Sequence, residues 1–161
     1  MFRLPRRFDW IFMATNALQH LHDRESVDAL FERVRAHLNP GGKFLFDVMN
    51  PNAEKLARDP ALRYRRKTFR PPAGEPIDVD ARSGYDPQSR ILEFDLFYSK
   101  AGRPDFRTKH VELRCFFPQE LDELCRRNGF AIESKHGDYK GGAFDAASAK
   151  QVLVCVPIAH S

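Results

Sequence analysis

FDWIFMATNALQHL at residues 8–21 and DRESVDALFERVRAHLNPGGKFLFDVMNP at residues 23–51 decide the fold of this chain. After Asp9, residues 10–15 are almost continuously apolar, the pattern of a strand buried on both faces. Asp23 stands where a helix N-cap belongs, and Glu25 falls in the first turn, where the helix dipole favours a carboxylate. Val27, Leu30, Phe31, Val34 and Leu38 then recur at i, i+3, i+4, i+7 and i+11, one face of a helix. Asn39-Pro40-Gly41-Gly42 ends it, because proline cannot continue the hydrogen-bond ladder and glycine accepts left-handed geometry. Residues 43–50 (KFLFDVMN) read as the next buried strand, so strand, crossover helix and strand over 8–51 make one right-handed parallel unit.

Working outward, residues 52–59 are a short helix candidate and residues 2–7 a linker into the first strand. From Arg63 the pattern changes to alternation. Ile77, Val79 and Ala81 alternate with polar residues, Asp86-Pro87-Gln88-Ser89 makes a turn, and Leu92, Phe94, Leu96 and Tyr98 alternate again, which predicts a hairpin. Ala101-Gly102-Arg103-Pro104 turns into a third run over 106–117, so 63–117 reads as an antiparallel insertion of three strands. Pro118 sits at helix position N1, Leu121, Leu124 and Cys125 form the buried stripe, and Gly129 is the C′ residue, with Phe130 packing back on Cys125. Residues 130–135 and 151–157 are the final strands, completing a unit over 118–157, and the second is apolar enough to be central. The loop between them carries Asp138, Tyr139 and Gly141-Gly142.

A length of 161 residues is that of a single domain, residues 1–161, with one core, which the 42% apolar fraction and 14 phenylalanines support. No apolar run approaches the ~20 residues that a bilayer span needs, and no signal peptide follows Met1. Cys115, Cys125 and Cys155 lie within apolar patterns without metal-type spacing, which reads as buried thiols in a reducing, cytoplasmic setting. The net charge of +4 favours anionic partners only mildly.

Three motifs in order, FDxIxxxxNxLxHL, LxPGG before an apolar strand, and FxPxELxxLxxxxGF at 116–130, give the chain a family likeness. It resembles the second half of class I S-adenosylmethionine-dependent methyltransferases, whose seven-stranded sheet runs 3-2-1-4-5-7-6 with strand 7 antiparallel. The resemblance implies an α/β fold: a partial doubly wound, Rossmann-like sheet made of strands 4 to 7, with the antiparallel insertion after strand 5. It also implies S-adenosylmethionine as cofactor. The family's D/E-x-G-x-G loop and its ribose-binding acid have no counterpart here, since Gly41-Gly42 and Gly141-Gly142 occur in other contexts. The expectation is therefore a fragment, or a chain read from a late start codon, with weak or absent cofactor binding and no activity alone. Phe117 also stands where many relatives carry a Ser or Thr cap.

Methyl transfer is an in-line displacement, accelerated mainly by alignment, with a base added where the nucleophile carries a proton. In an open α/β sheet the ligands bind at the carboxyl ends of the strands. The resemblance places the segment after the first strand beside the cofactor, which makes Asn16, Ala17 and Gln19 cofactor-site candidates and His20 a candidate base. The alternative for Asn16 is a turn cap, and for His20 a core histidine. Asp47, costly to bury unpaired, has a partner or points into the cleft, and Asn50 closes the same strand. Arg114 and Tyr139 are further candidates for the acceptor pocket. His20 and His22 lack metal-binding spacing, so no metal is expected.

Two other readings compete with a small-molecule methyltransferase. One is a non-catalytic, methyltransferase-like interaction protein working with another chain. The other is nucleic-acid binding through RYRRKTFR at 63–70, for which a solvated strand face is the simpler account. Without a strand 1, one edge of residues 8–15 has no partner and only Asp9 as a charge. That edge is expected to make a homodimer, or to take a separate N-terminal half.

Overall fold

In the computed structural model, which describes residues 4–158, Asp23 caps helix α1 (Arg24–His37) as its position requires. Of the stretch read as a linker, Phe2 and Arg3 lie outside the described residues. Asp23 is extended (φ −105°, ψ 157°), and its Oδ1 accepts from Ser26 N at 2.7 Å. The helix buries Val27, Phe31 and Val34, together with His37, which the apolar stripe did not include. His37 is fully engaged: Nδ1 lies 2.7 Å from Arg33 O, and Leu4 N donates to Nε2 at 3.0 Å.

Strands β1 (Phe8–Met13), β2 (Leu38–Met49), β7 (Phe130–His136) and β8 (Lys150–Pro157) make one sheet in the order β1-β2-β8-β7. β1 is parallel to β2, and β8 is antiparallel to both its neighbours. This is the order and the inverted strand expected for strands 4, 5, 7 and 6. The apolar run 151–157 is central, as its composition predicted.

The Asn39-Pro40-Gly41-Gly42 turn is not a separate element. Leu38 is already extended, and β2 begins there. Phe8 pairs with Leu38 and Trp10 with Lys43, so residues 39–42 are taken up as an irregularity in the ladder. The two glycines have different reasons: Gly41 has φ +76°, whereas a Cβ on Gly42 would stand 2.9–3.2 Å from the carbonyl oxygens of Asn39, Phe8 and Asp9.

Phe44, Phe46 and Val48 share one face of the sheet with Leu153 and Cys155, and pack with Val27, Phe31, Val34, Leu121, Leu124, Cys125 and Phe130 in a single core. Cys115, Cys125 and Cys155 are all buried. Cys155 Sγ stands 4.0 Å from Cys125 Sγ; the contact with Cys125, followed by burial, pushes the Cys155 thiol far up. Burial pushes Cys115 up to about 11. Such thiols are unreactive.

β1 departs from the expected burial on both faces. Ile11 and Met13 pack against the core, but Trp10 and Phe12, on the other face, are 58% and 78% exposed. The reason is topological: β1 ends its sheet, and α1 and α3 (Pro118–Arg127) both cover the opposite face. An edge guarded only by Asp9 invites pairing. In sedimentation at micromolar concentration the 161-residue chain is expected to self-associate, and Phe12→Lys to shift it toward monomer. A wild-type monomer whose β1 amides resist exchange would contradict this.

α3 starts with Pro118 after Phe117, which makes no side-chain cap bond, and ends with Gly129 at φ +76°. Gly129 N donates to Arg126 O at 3.0 Å, closing the helix.

A second compact unit, Ala53–Arg114, is distinct from the first, Met1–Asn52 with Cys115–Ser161. It holds the short helix α2 (Ala53–Leu56) and four antiparallel strands in sequential order: β3 (Tyr64–Phe69), β4 (Ile77–Asp86), β5 (Ile91–Lys100) and β6 (Arg103–Arg114). Three were expected. The fourth is β3, whose arginines hide its alternation. Arg65 pairs with Asp78 and Asp80, Thr68 Oγ1 donates to Asp78 at 2.7 Å, and Arg63 pairs with Asp105 while lying over the Phe97 ring. Carboxylates thus match part of the basic run that suggested nucleic acid. β6 starts earlier than expected because Pro104 is tolerated on an end strand. On the same sheet Asp95 bonds both His110 and Arg82, which hold its carboxyl below the usual range; Asp95 and then Glu112 raise His110. No helix among the described residues is long and apolar enough to cross a membrane.

Candidate functional site

Because β8 runs antiparallel to β2, its first residue stands at the carboxyl end of β2, with Lys150 opposite Met49. The turn after β1, the end of β2, the start of β8 and the loop after β7 therefore gather at one end of the first sheet, where ligands bind in open α/β folds.

Immediately after β1 the backbone enters the left-handed region twice, at Thr15 and Asn16, both with φ 61°. Asn16 O then accepts from Gln19 N at 3.0 Å, opening a 3₁₀ turn over Ala17–His20. Gln19 is fully buried, and its Oε1 accepts from Met49 N at 2.7 Å, which ties this turn to β2.

Asp47 is 1% exposed, and its partner is Lys150, whose Nζ donates to Oδ2 at 2.6 Å. The same Oδ2 accepts from Asn16 N at 3.3 Å, and Lys150 Nζ also donates to Asn16 Oδ1 at 3.2 Å. Lys150 Nζ further lies 5.2 Å from the centroid of the Tyr139 ring. Burial opposes the charge on Lys150, but bonding and attraction to Asp47, with Tyr139 behind them, hold its ammonium above the ordinary lysine range. It supplies a fixed positive charge, not a base. Asp47 Oδ1 is buried and meets no donor among the described residues.

Asn50 anchors the loop. Its N donates to Ala149 O at 3.1 Å and its Nδ2 to Ser148 O at 2.9 Å, while its buried Oδ1 also lacks a donor among the described residues. Asp138 shapes the tip by accepting from Gly142 N at 3.0 Å and Lys140 N at 2.8 Å, which hold its carboxyl below the usual range. Tyr139, 62% exposed, stands on that tip.

Of the residues expected at a site, Asn16, Asp47 and Tyr139 are brought together around Lys150. Gln19 and Asn50 have their side-chain bonds inside the wall, holding strand ends and loop. Ala17 opens the 3₁₀ turn and is half-buried, and His20 ends it exposed. Arg114 belongs to the second unit, at the end of β6 opposite Ile91. Lys150 was missed. The only signal for it was the need of Asp47 for a partner, and nothing local selects one cation among 26.

No protein-family model and no curated protein matches the sequence. Solved structures do. The CcbJ methyltransferase from Streptomyces caelestis superposes with a TM-score of 0.81 at 24% identity, over 99% of this chain and 61% of that one. The fold is that of S-adenosylmethionine-dependent methyltransferases. A methyltransferase of that class from Clostridium acetobutylicum gives 0.76 at 14% identity, over 99% of this chain and 62% of that one. The sugar N-methyltransferase KedS8 from Streptoalloteichus gives 0.69 at 14% identity, over 99% and 60%. The chain spans about three fifths of the length of these structures.

Proposed function

We propose that this chain carries the strand-4 to strand-7 part of an S-adenosylmethionine-dependent methyltransferase that acts on a small-molecule acceptor. The observation that carries the reading is the fold match over 99% of the chain, together with the polar cluster at the carboxyl ends of its strands. The residues present suit such a cofactor: Asp47 Oδ1 and Asn50 Oδ1 are buried acceptors in need of donors, and the cofactor offers an ammonium and ribose hydroxyls. When bound, it supplies the transferable methyl group.

The chain's own contribution is alignment. In this reading the backbone of Asn16 and Ala17 meets the cofactor, and Gln19 holds that turn through Met49. Tyr139 serves the acceptor side, and His20 takes a proton from the nucleophile. KedS8 is named for N-methylation of a sugar, which favours an amine as the nucleophile here. Most of the family's cofactor contacts lie on motifs that this sequence lacks, so affinity is expected to be low.

A readout that tolerates low affinity is backbone NMR of the labelled chain titrated with S-adenosylhomocysteine. Shifts are expected at Asn16, Ala17, Val48, Met49, Asn50 and Lys150, and not along the α1 and α3 surfaces. No response at millimolar ligand, or one scattered over the helices, would count against the reading.

A further inference from the structure

Two consecutive residues with side chains, Thr15 and Asn16, hold φ at 61° directly after β1. Asparagine tolerates this geometry, but a β-branched threonine adopts it only under constraint. Strain of this kind persists where surrounding contacts over-determine it, and such places are commonly functional. Here the constraint is a closed triangle: Asn16 N to Asp47 Oδ2 at 3.3 Å, Lys150 Nζ to Asn16 Oδ1 at 3.2 Å, and Lys150 Nζ to Asp47 Oδ2 at 2.6 Å. The ring of Tyr139 lies against the same ammonium from the loop after β7. Lys150 thus touches the turn after β1, the buried carboxylate of β2 and the loop at once.

We infer that Lys150 is a positioning residue of this site, holding the strained turn at Thr15 and Asn16 and the Tyr139 loop in the geometry a ligand meets. The inference rests on the methyl-transfer reading of the site. Lys150 acts through Asn16 and Asp47 and has no need to touch either ligand. Without its ammonium, Asn16 loses its side-chain bond, Asp47 loses its counter-charge, and Thr15 relaxes toward negative φ. The ionisable groups facing the ammonium are Asp47 from β2 and Tyr139 from the loop.

Three variants separate positioning from simple charge neutralisation: Lys150→Met, Lys150→Arg, and the double change Asp47→Asn with Lys150→Met. The single methionine variant leaves a buried, unpaired carboxylate and risks unfolding, whereas the double variant removes that charge. The double variant is expected to fold, with β2 and β8 amides protected from exchange. Its backbone shifts at Thr15 and Asn16 should move to those of negative φ, and its response to S-adenosylhomocysteine should weaken roughly tenfold, the equilibrium cost of about one charge-assisted hydrogen bond. Lys150→Arg should recover part of both. A double variant that keeps the wild-type turn and the wild-type response overturns the inference. If the wild type itself gives no response, the methyl-transfer reading falls, and the turn geometry alone decides the role of Lys150.

Discussion

Phe31→Ala is expected to lower the stability of the first unit by about 4 kcal/mol, within the range of phenylalanine truncations in closed cores. Phe31 is fully buried at the middle of α1, and its ring meets three others edge-on: Phe44 at 5.6 Å, Phe46 at 5.8 Å and Phe130 at 5.7 Å between centroids. Edge-to-face pairs of this kind add roughly 0.5–1.5 kcal/mol each beyond the area buried, and all three vanish together. The surrounding strands are hydrogen-bonded on both sides of β2 and β8, so they cannot collapse into the space. Phe31→Leu keeps most of the volume and should cost under about 1.5 kcal/mol. Urea unfolding, followed by exchange of the α1 and β2 amides so that the second unit does not obscure the result, measures the difference. Equal losses in the two variants would mean that the cavity and the ring contacts are unimportant.

Lys150→Met is expected to cost about 3 kcal/mol, because it strands the Asp47 carboxylate in a site that is 1% exposed. The value lies at the low end for a broken buried pair, since Lys150 itself keeps some contact with water. Replacing both partners, Asp47→Leu with Lys150→Met, should recover most of the loss. The pair also makes a pH prediction. The folded Lys150 titrates above its ordinary value of 10.5, so its stabilisation is complete below that pH and disappears as pH rises through the folded value. Denaturation midpoints should therefore converge for wild type and the double variant only above pH 10.5, a trend that screening by salt alone does not produce.

Much of the fold was legible because its signals act over a few residues. The Asp23 cap, the α1 stripe up to Val34, Pro118 and Gly129 around α3, and the apolar run of β8 each state their element locally and stand where expected; Leu38, read as the last of the stripe, instead opens β2. β3 was not legible, because arginines occupy positions where alternation would be read, and its pairing rests on Asp78 and Asp80 in another strand. At the site, Asp47 was marked by its charge in an apolar strand, and Asn16 by the family resemblance that places the segment after the first strand there. The ammonium that joins them is 103 residues from Asp47 and reads locally as the end of a loop.

The sequence by itself determined most of the elements and the parallel unit over 8–51, while its family resemblance implied the inverted last strand and the end of the sheet that carries the site. Hydrogen-bond caps, side-chain periodicity and the forbidden backbone of proline are properties of short segments, so they survive without knowledge of the whole. Only the tertiary structure decided that Trp10 and Phe12 are exposed, that Gln19 and Asn50 bind the scaffold together, and that Lys150 holds Asp47 and Asn16. Each of those outcomes depends on which distant strand lies alongside, and burial, pairing and strain exist only once that neighbour is in place.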